Sequence, residues 1–117
     1  MPTSDSLFLY CLTLDEPYQD PTNWTRETHA TIERHAAFLD DLGAQGLLAF
    51  AGRTRYEPGH PDLFGIAVVR APSMEAAERM MADDPAVQQG IQRSAVHPFS
   101  MAIHHLSIFE REAFGPS

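Results

Sequence analysis

Positive charge, cysteine and long apolar runs are all scarce in this chain. Of its 117 residues only eight are Lys or Arg, against sixteen Asp or Glu, for a net charge of −8. No basic run gathers the cations on one face, so the counterion release that drives nucleic-acid binding has no source. A single cysteine, Cys11, allows no intrachain disulfide, and its apolar context without a basic neighbour favours an inert buried thiol over a nucleophile. The first apolar run, within MPTSDSLFLYCLTLDE, is too short to span a bilayer and lacks a basic flank. Neither membrane association nor a secretion signal is therefore expected, and the expected compartment is the reducing cytoplasm. Glycine-rich phosphate loops of the two standard spacings are missing, so no nucleotide cofactor is indicated and none is expected. No repeat or low-complexity segment interrupts the chain, whose length suits one domain over 1–117, with a core at about 7–105 and a tail at 106–117.

What is present is periodic. Leu7 to Leu14 is a strand with both faces largely apolar. Asp15 to Asn23, with two prolines and several turn formers, is a loop. Thr22, Asn23 or Thr25 caps a helix running to about Gly43, and Ile32, Ala36, Leu39 and Leu42 form its inner stripe. Gly43 and Gly46 end it, and Leu47 to Gly52 is a short buried strand before Arg53. A second loop, RYEPGHPD, leads to a third strand at Leu63 to Ala71. Ser73 caps a helix with Met74, Ala77, Met80 and Met81 on one side. Asp84-Pro85 then starts a single helical turn that Gly90 closes. Ile91 to His105 is read as extended, with Pro98 marking a bulge or an edge.

The order strand, helix, strand, strand, helix, strand is the split βαβ, or ferredoxin-like, α+β arrangement: an antiparallel sheet with both helices on one face. Two helices cover only that face. Because the first and third strands are apolar on both sides, a second copy is expected to cover the other, giving a homodimer and leaving room for a higher homo-oligomer.

Few residues in this pattern bring chemistry. His35 lies on or beside the inner stripe of the first helix, where an imidazole is either a satisfied core group or a working one. Asp84 is by itself an ordinary N-cap. Arg53 and Arg55, at strand spacing beside a loop, either hold a substrate carboxylate or form a solvated strand end. Tyr10, Trp24 and Tyr56 either line a pocket mouth or pack in core and loop. His104 and His105 are adjacent and would point to opposite faces of a strand, and His29 with Glu33 reads as a surface pair, so no metal site is assigned.

The helix bearing His35, Ala51-Gly52 at the end of the next strand, the Ala71-Pro72-Ser73 turn before an Ala/Glu-rich helix, Asp84-Pro85 to Gly90, and the closing His97-Pro98-Phe99 together resemble the YciI-like (YCII-related) family. The likeness runs from about Leu7 to Ile103. It implies a dimeric α/β barrel in which a His and an Asp pair in a pocket, and the matching positions here are His35 and Asp84. The chain departs from the pattern at Arg53, where the family often has Pro, and at Ile32, where some members carry Arg. On this likeness the expected function is cofactor-independent general acid/base chemistry on a small molecule, of lyase or isomerase type. The alternatives are a ligand-binding or sensing module using the same pocket, and a structural homo-oligomer in which the pair only stabilises the fold.

Overall fold

The computed structural model describes residues 5–110. Four strands form one sheet: β1 (Ser6–Leu14), β2 (Leu48–Arg53), β3 (Gly65–Ala71) and β4 (Gln92–Phe99). Their order across the sheet is β2-β3-β1-β4, and every neighbouring pair is antiparallel. Three helices accompany them: α1 (Arg26–Ala44), α2 (Met74–Ala82) and the single turn α3 (Pro85–Gln88). This is the ferredoxin-like α+β arrangement. No helix among the described residues is long and apolar enough to cross a membrane.

Side-chain alternation divides the sheet into two faces. Phe8, Tyr10 and Leu12 of β1 point to one side with their partners Val69, Ala67 and Gly65, and this side meets Leu42 of α1 and Ala77 and Met81 of α2 to make the core. Leu7, Leu9 and Cys11 point to the other side, opposite Phe99, His97 and Ala95 of β4. On that helix-free side lies Phe50 of β2, and the ring of Phe109 tilts against it at 6.0 Å. Phe109 belongs to a 3₁₀ turn, Leu106–Glu110, so part of the tail reaches the helix-free face. Phe114, the last apolar residue of the tail, lies outside the described residues.

Helix ends follow local chemistry. Thr25 caps α1 through a reciprocal pair with Thr28, and Gly46 takes the left-handed conformation just past its end, φ 77°. Ser73 caps α2 by accepting from the Ala76 N–H at 3.0 Å. The loop before α1 contains two short 3₁₀ turns, Glu16–Gln19 and Pro21–Asn23. Indole Nε1–H of Trp24 donates to the Tyr18 carbonyl at 2.7 Å and ties that loop to the start of α1.

Two expectations about extent are corrected. β4 ends at Phe99 instead of His105, because its partner β1 begins at Ser6 and the last pair is Leu7 with Phe99. His104 and His105 are exposed and lie outside any strand. Arg55 is likewise beyond β2, which stops at Arg53, so the two arginines do not share a strand face.

Candidate functional site

Where the chain passes from α2 to α3, Pro85 has no N–H with which to continue a helix, and Asp84 turns extended, φ −61° and ψ 122°, as the cap of the next turn. Its Oδ1 accepts the Ala86 N–H at 2.9 Å. This elbow packs on α1 and brings Asp84 against His35, 49 positions away: Nδ1 lies 2.7 Å from Oδ2 and 2.9 Å from Oδ1. Asp84 is fully buried, while the His35 side chain keeps 14% of its surface exposed.

An ionised carboxylate can only accept, so Nδ1 carries the proton in this contact and the lone pair of the neutral ring sits on Nε2. Nε2 makes no hydrogen bond to another described residue. His35 also lines a cavity of about 440 Å³ at the end of the sheet where β1 and β2 finish and β3 and β4 begin. Leu12, Leu14, Ile32 and Leu39 line it with aliphatic surface, and Trp24, Tyr56 and Phe64 with aromatic surface. The polar side chains on its wall include Arg53 and Gln92 as well as His35. Gln92 Oε1 is buried without a hydrogen-bond partner among the described residues.

Arg53 makes no ion pair among the described residues, whereas Arg34, Arg70, Arg79 and Arg93 each meet a carboxylate. Arg55 does not reach this cavity; it lines an adjoining open hollow with Arg53, Thr54 and Tyr56.

Tyr10 is placed elsewhere than a pocket mouth. Completely buried in the middle of β1, it donates its hydroxyl to Asp84 Oδ2 at 2.9 Å. Burial first, then the charge of Asp84 and the hydrogen bond to it, push the phenol's proton loss well above its ordinary range. The alternation of β1 held the signal, since Tyr10 shares the parity of Phe8 and Leu12. Gln92 gave none, being one polar residue at the start of a strand.

The remaining candidates lie apart. His29 is exposed and packs against Trp24, ring centroids 5.3 Å apart. His60 stacks on Tyr56 at 4.0 Å. Cys11 lies on the helix-free face. Among the described residues no three His, Cys, Asp or Glu side chains converge as a metal site would require.

Residues 8–100 match the model of the YCII-related domain. No curated protein matches the chain. Among solved structures, a 5-chloro-2-hydroxyhydroquinone dehydrochlorinase from Burkholderia phenoliruptrix AC1100, in complex with 2,5-dihydroxybenzoquinone, superposes with a TM-score of 0.59 at 18% identity. The alignment covers 80% of this chain and 93% of that one. SnoaB, a cofactor-independent oxygenase from Streptomyces nogalater, gives a TM-score of 0.44 at 16% identity over 87% of this chain and 97% of its own. At these identities the likeness to the dehydrochlorinase speaks for the fold.

Proposed function

The chain belongs to the YCII-related domain family, and from that premise we propose that it is a small-molecule enzyme in which His35 is the general base and acid and Asp84 orients it. One observation carries the reading: a fully buried carboxylate holds Nδ1 of a histidine that lines an apolar cavity and whose Nε2 has no partner among the described residues. That arrangement fixes one tautomer and presents a lone pair to whatever enters. The reaction class is elimination or isomerisation. Nε2 takes a proton from the substrate, the electron pair left behind forms a double bond or expels a leaving group, and the imidazolium then returns or releases its proton. Proton transfer of this kind asks for no group beyond the imidazole.

Arg53, a cation without a carboxylate partner on the wall of the same cavity, is assigned to an anionic oxygen of the substrate, with Arg55 adding positive potential outside. The working form is a homodimer joined through the helix-free faces, and the lone cysteine fits a cytoplasmic setting.

The reaction named for the Burkholderia structure provides the first assay. Chloride release from 5-chloro-2-hydroxyhydroquinone is followed in the wild type and in His35→Gln, together with binding of 2,5-dihydroxybenzoquinone. Loss of about 10²–10⁴-fold in rate with binding nearly unchanged is expected. A His35→Gln protein turning over at the wild-type rate would end the catalytic assignment. Binding by the wild type without turnover would favour a ligand-binding module.

A further inference from the structure

Tyr10 belongs to the site without touching the cavity. Its ring fills the centre of the core between Ala67 of β3 and Val96 of β4, a place that phenylalanine would fill equally well. The hydroxyl is therefore not needed for packing. Nor is it needed to cap α3, since that task falls to the other carboxylate oxygen, which accepts from Ala86 at 2.9 Å. The phenol instead meets the oxygen that His35 approaches most closely: Oδ2 takes Tyr10 O–H at 2.9 Å and His35 Nδ1 at 2.7 Å. We infer that Tyr10 is a positioning residue that sets the proton affinity of His35 by sharing the charge on Asp84 Oδ2.

The physics is a competition between two donors for one oxygen. A hydrogen bond to a carboxylate withdraws part of its charge and lowers its basicity, so it stabilises a neighbouring imidazolium less. With Tyr10 in place the ring gives up its proton more readily than it would beside an undivided carboxylate. Both Tyr10 and Asp84 are fully buried, where such effects are weakly screened. Because burial and the Asp84 charge hold the phenol protonated, it acts as a constant donor at neutral pH. The other titratable or charged groups that face the same cavity as His35 are Arg53 of β2 and Tyr56 of the following loop. On α1 itself Arg34 turns away to Glu27, at 3.0 Å, and to Thr31, at 2.7 Å.

The inference rests on the reading of His35 as the base, but its test does not need a substrate. The chain has six histidines, and ring proton shifts followed against pH give a midpoint for each, with His35 identified by the signal lost in His35→Gln. Tyr10→Phe should move the His35 midpoint up by about half a unit to one unit. Site-specific 3-fluorotyrosine at position 10, a stronger donor with nearly the same shape, should move it down. The other five midpoints should stay. A merely structural hydroxyl would not give shifts of opposite sign, so no shift in either protein, or shifts in the same direction, overturns the inference. If Tyr10→Phe fails to fold, the fluorinated protein decides alone. Should the midpoints move as expected while the acid limb of the rate does not follow them, Tyr10 tunes His35 but His35 is not the base, which separates the two failures.

Discussion

Asp84 gathers donors from three parts of the chain: the phenol of β1, the imidazole of α1 and a backbone N–H of α3. Each donor lowers the cost of burying a charge that would otherwise be prohibitive. The phenol's own titration adds a consequence at high pH. Its folded-state proton loss is raised above the ordinary value of about 10, so the unfolded chain releases that proton first. The associated stabilisation is complete below pH ~10 and is lost progressively as pH rises above it. Urea midpoints of the wild type should therefore fall more steeply above about pH 10 than those of Tyr10→Phe, and the gap between the two proteins should narrow. Parallel curves would contradict this. From sequence alone Asp84 looked like a helix cap and His35 like either a core or a working group. That the two meet is a tertiary fact which only the family likeness anticipated.

At the level of elements, the periodic segments were legible and their neighbours less so. α1 begins and ends close to where capping residues and glycines mark it. Its buried face, however, is Thr28, Thr31 and Leu42, while Ala36 is exposed at the cavity. Threonine can occupy such a face because its methyl packs while its hydroxyl finds a local partner, here the Thr25 N–H for Thr28 and Arg34 for Thr31. A count of apolar residues misses that. The length of β4 was also hidden, since it is set by where its partner starts. Among the loops, the segment between β2 and β3 carries Tyr56 and Phe64 to the cavity, and Gly59 fastens it. Gly59 has φ 95°, and a Cβ added there would stand 2.8 Å from the Gln19 carbonyl oxygen. Gly59→Ala should cost about 1–3 kcal/mol through strain and backbone clash and should weaken binding of 2,5-dihydroxybenzoquinone as the wall shifts. Thermal unfolding and calorimetric titration read the two effects, and an unchanged protein in both would show that the loop is not pinned there.

Across the whole molecule, the two faces of the sheet have different fates. One packs against the helices, while the other carries Leu7, Leu9 and Phe50 and, among the described residues, is reached by the turn at Leu106–Glu110. An apolar face of this kind is the expected interface for a second copy, burying roughly 2,000 Å² or more in total. Light scattering at micromolar concentration should return twice the chain mass, and Leu9→Arg should return it to a single chain. A wild-type monomer under those conditions would remove the dimer. The antiparallel α+β sheet itself followed from the order of elements, because each helix is long enough only to carry the chain back across one face.

The strand order also bears on how the protein is made. β1 lies between β3 and β4, so neither edge of the first strand finds its partner until much later chain has been synthesised. At about 5–20 residues per second, the apolar β1 remains unpaired for several seconds while α1, β2 and the loops emerge. The His35–Asp84 contact cannot form before α3 is out, and the sheet closes only with β4. A ribosome-bound chain stopped before Gln92 should thus present to chaperones the edge of β1 that β4 would cover, and the sheet around the site is completed last.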